Sequence, residues 1–348
     1  MRSPLLFYDV VNAVIRCTLE HITIAHSRYL MPSTSESYYQ YCRQNKVPSQ
    51  TVHVQVGDRK VTAHWLGNPE AETAILYFHG GGYTQSVSPT WFKYLTRLIQ
   101  DVQREEDGKS VAVLMLAYTL APEATYPTQL REAVSLLSHV LTDTGRSPGN
   151  IILSGDSAGG NLALALMSHM LHPHPDVHVI NLQRPLGGAL LYSPWVSFRT
   201  DYPSFSNEKL DNMAPIALRR WSAMFLGKAN TVDREADPGH VTGDAWTEAT
   251  LNTPQWWEGL HRVVGNMFVW YGGYEVFADS IRAWKRNLNE GWIRGGGEAD
   301  RVTFLEAPKE AHVAPIGDFI ARGKRNKSES QIAIEEWYRY RLEAPMGG

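Results

Sequence analysis

Hydrophobic residues near the start of the chain follow two periods in succession. Between Leu5 and Ile24 they recur at helical spacing, and Ser33 to Ser37 supply capping residues for a second, short helix. From Thr51 the pattern alternates with period two, interrupted only by the turn residues Gly57-Asp58. We therefore predict a helical N-terminal segment over residues 1–50, and an antiparallel hairpin that opens a second unit, residues 51–348.

Most of the second unit shows short, continuous apolar runs that alternate with amphipathic helical stretches. The runs are predicted strands, at Ala74 to Phe78, Val111 to Ala117, Asn150 to Leu153, Gly188 to Tyr192, Met267 to Tyr271 and Val302 to Leu305. The predicted helices are Trp91 to Val102, Gln129 to Leu141, Asn161 to Leu171, Val276 to Leu288 and Ser330 to Leu342. This alternation predicts an α/β fold, with a mostly parallel central sheet covered by helices on both faces.

One long segment, residues 196–265, interrupts this rhythm. It is rich in tryptophan, proline and polar residues, and it contains one clear helix, Pro215 to Leu226. We predict that it is an insertion that lies above the sheet.

Composition removes several classes of function. The 348 residues carry 33 basic and 36 acidic side chains, a net charge of −3, so the basic excess typical of nucleic-acid binding is missing. Two cysteines, Cys17 and Cys42, cannot form a disulfide framework, and we predict reduced thiols in a cytoplasmic protein. No apolar stretch reaches the roughly 18 residues of a membrane span, although a contact of the N-terminal helix with a membrane surface stays open.

A candidate nucleophile lies between a predicted strand and a predicted helix. The strand Ile151 to Leu153 leads into Gly155-Asp156-Ser157-Ala158-Gly159-Gly160, and an apolar helical pattern follows at once. A turn this tight strains the backbone at Ser157 and needs glycines two residues away on either side. The motif therefore predicts that the serine hydroxyl is presented at a helix N-terminus, where developing negative charge is stabilised.

A glycine-rich loop follows the strand that ends at Phe78. Its sequence, His79-Gly80-Gly81-Gly82-Tyr83, lets backbone N–H groups point into a pocket, and we expect Gly80 and Gly81, with Ala158, to bind an oxyanion. We expect His79 to orient the loop by hydrogen bonding. A plain glycine turn or a phosphate-binding loop is the alternative, but neither a G-x-G-x-x-G nor a G-K-[ST] motif is present.

A serine nucleophile needs a base and an orienting carboxylate, in the chain order serine, acid, histidine. Glu275 follows the strand Met267 to Tyr271, and His312 follows the last predicted strand, so both are expected at one edge of the sheet. We predict that Asp156 and Asp279 have supporting roles. The cluster His172, His174 and His178 lacks metal-ligand spacing, so we expect neither a metal nor another cofactor.

These motifs resemble, in identity and order, the hormone-sensitive-lipase family of α/β-hydrolases, carboxylesterases with an H-G-G-G loop. The resemblance covers roughly residues 70–320 and is closest to fungal steryl-acetyl hydrolases and esterases of natural-product pathways. Its matching blocks are His79 to Gly82, Tyr118 to Glu123, Tyr126-Pro127, Gly155 to Asn161, Ser193-Pro194-Trp195 and Gly272 to Asp279. It implies that Ser157 is the nucleophile, His312 the general base and acid, and Glu275 the carboxylate. It also implies that the N-terminal helices and the insertion form a helical cap.

Three functions fit these residues. The first is a serine hydrolase that cleaves a carboxylic ester, a short-acyl ester of a bulky apolar small molecule, without cofactor. The second uses the same residues for cyclisation, condensation or acyl transfer in small-molecule biosynthesis. The third is a binding protein similar to the plant gibberellin receptors, which resemble this family but lack the catalytic histidine that is present here as His312. The oligomeric state stays open, a homodimer included.

Overall fold

An eight-stranded sheet forms the centre of the part of the molecule that the structure describes. The computed structural model describes residues 4–103, 110–230, 232–233, 235–322 and 327–343. The strands of the sheet are β1 Thr51–Val56, β2 Arg59–Leu66, β3 Thr73–Phe78, β4 Val111–Ala117, β5 Ile151–Asp156, β6 Gly188–Tyr192, β7 Met267–Gly272 and β8 Val302–Ala307. Their order is β1-β2-β4-β3-β5-β6-β7-β8.

The sheet is parallel from β4 to β8 and antiparallel at one end. β1 and β2 form the predicted hairpin, with Val56 opposite Arg59 across the turn, and β2 pairs antiparallel with β4. All neighbouring pairs from β4 and β3 through to β8 are parallel. The prediction of an α/β fold with a mostly parallel sheet is therefore confirmed.

Helices cover both faces of this sheet. They are α1 Pro4–His21, α2 Ile24–Leu30, α3 Thr34–Asn45, α4 Pro89–Val102, α5 Thr128–Thr142, α6 Ala158–Leu171, α7 Pro215–Phe225, α8 Ala278–Arg294, α9 Ala314–Arg322 and α10 Glu329–Glu343. Alternate residues of β3 belong to two different hydrophobic cores. Leu76 and Phe78 pack with residues of α5, α6 and α8, whereas Ile75 and Tyr77 pack with residues of α3, α4 and α10. Burial on both faces explains why the sequence of β3 is continuously apolar.

From residue 4 onward, where the structure describes it, the N-terminal segment contains three helices, one more than predicted. α2 is the additional helix, and it is capped by the side chain of Thr23. The predicted capping residues before α3 form a capping box: Ser33 Oγ accepts from the N–H of Glu36 at 3.2 Å, and Glu36 Oε2 accepts from the N–H of Ser33 at 2.8 Å. Helix α9 was not predicted at all. Among the described residues, no helix has the length and apolar character that crossing a membrane requires.

The N-terminal segment packs against the first part of the predicted insertion. Arg16 of α1 donates from Nη1 to the carbonyl oxygens of Glu208 and Asp211, both at 2.7 Å. Arg220 of α7 donates in the opposite direction, to the carbonyl of Glu20 at 2.9 Å. The later part of the insertion, with 3-10 turns between Ala249 and Arg262, packs along α8 instead.

Candidate active site

Ser157 occupies a strained turn between β5 and α6. Its φ of 53° and ψ of −116° lie outside the regions that a serine normally adopts. The turn is crowded: a Cβ atom on Gly159 would overlap the carbonyl of Phe78, and one on Gly155 would overlap the backbone of Gly159. Close approach of the chain therefore requires glycine at both positions, as the sequence predicted. Ser157 itself is only 5% exposed.

His312 and Glu275 form a buried pair at the same edge of the sheet. Glu275 lies between β7 and α8, His312 lies between β8 and α9, and His312 Nδ1 is 3.2 Å from Glu275 Oε2. The carboxyl ends of parallel strands meet at one edge, which is why residues 37 positions apart come together. In the described part of the chain, no hydrogen bond joins His312 to Ser157; such contacts are often long in unliganded enzymes and tighten with substrate.

Burial controls the protonation of this pair. It lowers the pKa of His312, a shift that the negative charges of Asp211 and Asp156 oppose. It also raises the pKa of Glu275 to about 8. The imidazole is therefore uncharged at neutral pH, which a general base requires, and ionisation of Glu275 is favoured as the pH rises.

The glycine-rich loop offers backbone donors, but not the set that the sequence predicted. The N–H of Gly80 donates to Asp156 Oδ1 at 3.0 Å, so it is not available to an oxyanion in this structure, contrary to the prediction. The N–H groups of Gly81, Gly82 and Ala158, by contrast, have no hydrogen-bond acceptor among the described residues. The candidate pair of donors in the loop therefore shifts by one residue, from Gly80 and Gly81 to Gly81 and Gly82.

His79 holds the peptide between Gly80 and Gly81 in place. Its Nδ1 is 2.8 Å from the carbonyl of Gly80, its Nε2 is 3.2 Å from Thr34 Oγ1, and its ring stacks on Tyr118 at 4.2 Å. Burial lowers the pKa of His79 to about 4, so the ring is neutral. Because the C=O and N–H of a trans peptide point in opposite directions, fixing the Gly80 carbonyl also fixes the direction of the Gly81 N–H.

The two predicted supporting aspartates connect neighbouring loops. Asp156 Oδ1 accepts from the Tyr77 hydroxyl at 2.7 Å and from Trp91 Nε1 at 3.3 Å as well as from Gly80, and it links the serine turn to the glycine loop. Asp279 accepts from the N–H of Ser204 at 2.8 Å, and it links α8 to the insertion.

Two residues at this edge escaped prediction. Asp211, in the insertion, accepts hydrogen bonds from the N–H of His312 and of Val276, each at 2.8 Å. Trp221 of α7 lies directly against Gly82, where it fills the space that a side chain would need. Neither role could be predicted from the sequence, because the residues that Asp211 and Trp221 contact lie far away along the chain.

The described residues around this site do not meet the needs of a metal centre. Within the described ranges, no group of three or more His, Cys, Asp and Glu side chains could hold a metal ion. His172, from the histidine cluster, has its Nε2 2.8 Å from the carbonyl of Trp256, and its ring packs on that tryptophan.

Comparisons with known proteins agree with this architecture. A family model described as alpha/beta hydrolase fold matches residues 75–315. The chain is 27% identical to an acetyl-hydrolase of Streptomyces hygroscopicus over 256 residues, 72% of each chain. It is 22% identical to steryl acetyl hydrolase 1 of Saccharomyces cerevisiae over 72% of its own length, but spans only 55% of the yeast protein. A solved esterase from the bacterial hormone-sensitive lipase family superposes with a TM-score of 0.64 at 22% identity, over 98% of this chain and 99% of that one.

Proposed function

Because the chain belongs to the α/β-hydrolase fold family, we propose that it is a serine hydrolase that cleaves a carboxylic ester. Ser157 is the nucleophile, His312 the general base and acid, and Glu275 the carboxylate that orients His312. One observation carries the proposal: a strained serine and a buried histidine–glutamate pair share one edge of the sheet. Backbone strain and buried ionisable groups both lower stability, and they are concentrated at functional sites.

Acylation begins when Ser157 Oγ attacks the carbonyl carbon of the ester. The hydroxyl proton passes to His312 Nε2, and the electron pair of the C=O bond moves to its oxygen. When the tetrahedral intermediate collapses, the C–O bond to the alcohol breaks and His312 returns the proton to the leaving oxygen. A free alcohol and an acyl ester on Ser157 result, and water then cleaves that ester by the same two steps.

Stabilisation of the oxyanion is assigned to backbone N–H groups without an acceptor. Gly81, Gly82 and Ala158 supply them, and their position is supported by the hydrogen bond from His79 to Gly80 and by the contact of Gly82 with Trp221. Donors of this kind, held in advance in a site that excludes water, stabilise the transition state by about 3 kcal/mol each.

The proposed substrate is an acetyl ester of a bulky, apolar alcohol. Two relatives support this choice, since the names of both describe hydrolysis of acetyl groups, and one of them names a steryl ester. The N-terminal segment and α7 are proposed to form a cap over the site, and Trp221 contributes apolar surface beside Gly82. A cytoplasmic location and a role in secondary metabolism also stay proposals.

Turnover of a graded ester series tests the proposal. Purified protein should hydrolyse p-nitrophenyl acetate faster than the butyrate and octanoate, and should release acetate from a sterol acetate. Ser157→Ala should abolish both activities, whereas Ser206→Ala, which removes an exposed hydroxyl, should retain them. Folded wild-type protein that reacts covalently with a fluorophosphonate but hydrolyses no ester would point to a non-hydrolytic reaction. A protein that neither reacts nor turns over would favour a binding role.

A further inference from the structure

Asp211 is a buried carboxylate that the proposed reaction steps do not use. It lies in the insertion, just before α7, and its side chain is fully buried. Its two oxygens point to different loops: Oδ1 accepts from the N–H of His312 and Oδ2 from the N–H of Val276, each at 2.8 Å. One side chain thus joins the backbone of the proposed base to the residue that follows the proposed acid, Glu275.

The backbone that Asp211 holds is strained. Val313, directly after His312, has a φ of 57°, which a β-branched residue rarely adopts. The His312 peptide is held from the other side as well, because Asn212 Nδ2 donates to its carbonyl at 2.9 Å. Such strain persists only where the surrounding structure imposes it. Asp211 and Asn212, which are neighbours in the insertion, therefore form hydrogen bonds with the N–H and the carbonyl of His312, respectively.

Asp211 also places negative charge beside His312. Among the described residues, Glu275 Oε2 lies 3.2 Å from the imidazole Nδ1, and the negative charges of Asp211 and Asp156 also act on the imidazole. Burial raises the pKa of Asp211 to about 6, so it is mostly ionised above that pH, and its charge raises the pKa of His312. Within the described ranges, no lysine or arginine forms an ion pair with it. Its charge is therefore free to stabilise the imidazolium that forms in each proton transfer.

Arg16 attaches Asp211 to the N-terminal segment. Its Nη1 donates to the backbone carbonyl of Asp211 at 2.7 Å, and also to that of Glu208, in the same turn of the insertion. A continuous series of hydrogen bonds therefore runs from α1 through Asp211 to the loops of His312 and Glu275.

We propose that Asp211 is a positioning residue, which keeps the His312 and Glu275 loops aligned with each other, and that Arg16 holds it in place from α1. This inference rests on the proposed function, since alignment of the two loops has a consequence only if His312 and Glu275 act together. It adds a role for the insertion, beyond covering the site.

Asp211→Asn tests this role, because the amide keeps the size of the side chain but removes its charge and replaces one acceptor with a donor. We expect kcat on p-nitrophenyl acetate to fall by about 10²-fold while KM changes little, since misplaced catalytic groups have effects of this size. The rate of fluorophosphonate labelling should fall in parallel. The acidic limb of the kcat/KM profile should move to lower pH, because Asp211 interacts electrostatically with both His312 and Glu275, and loss of its negative charge lowers the pKa of each.

Asp201→Asn is the matched control. Asp201 lies ten residues earlier in the same segment, with a side chain 66% exposed, and we expect its variant to match wild type in kcat and pH profile. A folded Asp211→Asn protein that is labelled and turns over at the wild-type rate would overturn the positioning role alone. If wild-type protein itself shows no labelling and no turnover, the proposed function fails instead, which is a different result.

Arg16→Ala decides the question if Asp211→Asn does not fold. This substitution removes the hydrogen bond to the Asp211 carbonyl without leaving a buried charge unpaired, so the protein should still fold. We expect a loss of about tenfold in kcat at nearly constant KM, smaller than for Asp211 itself because the carboxylate stays in place. An Arg16→Ala protein with wild-type kcat would overturn the proposal.

Discussion

Gly82→Ala is the substitution whose effect follows most directly from the structure. Gly82 has a φ of +58°, in the left-handed region, and a Cβ atom there would overlap the indole ring of Trp221. The ring is only 4% exposed and packs in the core, so it cannot move aside freely. The backbone of Gly82 must shift instead, and that backbone carries one of the proposed oxyanion donors.

Gly82→Ala should affect both the stability of the fold and the rate of the reaction. Left-handed backbone costs an alanine about 1 kcal/mol, and overpacking adds about 1–3 kcal/mol of lost stability. Displacing one oxyanion donor costs about 3 kcal/mol of transition-state stabilisation, which corresponds to about 10²-fold in kcat. We therefore expect a moderately destabilised, folded protein whose kcat falls about 10²-fold and whose KM stays nearly constant.

Gly145→Ala separates these contributions. Gly145 also has a positive φ, +67°, but a Cβ atom there would meet nothing within 4 Å. Its variant should lose about 1 kcal/mol of stability in urea unfolding and no activity on p-nitrophenyl acetate. Equal kcat values for Gly82→Ala, Gly145→Ala and wild type would refute the assignment of Gly82 to the oxyanion site.

Three further predictions concern Glu275, pH and Ser33. Glu275→Gln should lower kcat by about 10⁴-fold, because an amide cannot stabilise the imidazolium. The control Glu290→Gln, on the exposed face of α8, should leave kcat unchanged. A loss under about tenfold for Glu275→Gln would contradict the proposed triad. Burial raises the pKa of Glu275 to about 8, and only the ionised carboxylate orients His312⁺, so kcat/KM should rise with pH through about 8. A flat kcat/KM profile between about pH 6 and pH 9 would contradict this prediction. Ser33→Ala removes the N-cap of α3 and should lower the free energy of unfolding in urea by about 1 kcal/mol; an unchanged midpoint would exclude the capping box as a stabilising contact.

Local signals in the sequence predicted the sheet and the serine turn. The hairpin β1–β2 has a two-residue turn, and the strand before Ser157 is followed by glycines that the turn requires, so each depends on residues that are neighbours along the chain. Helix α9 was missed because it is short and directly follows His312, where loop and helix residues merge into one mixed pattern.

Contacts between distant segments could not be predicted from the sequence in the same way. Asp211 contacts His312, 101 positions later, and nothing near Asp211 in the chain indicates this partner. The error at Gly80 has a related cause: all three glycines of the loop can present an N–H group, and only the position of the Asp156 carboxylate determines which of them is already bound.

Covalent labelling would show directly whether Ser157 is the nucleophile. Wild-type protein would be treated with a fluorophosphonate, digested and examined by mass spectrometry, with Ser157→Ala and Ser206→Ala treated in parallel. We expect one modified peptide, with the phosphonyl group on Ser157 Oγ, in wild type and Ser206→Ala, and none in Ser157→Ala. Modification of a different serine, or labelling that persists in folded Ser157→Ala, would contradict this expectation.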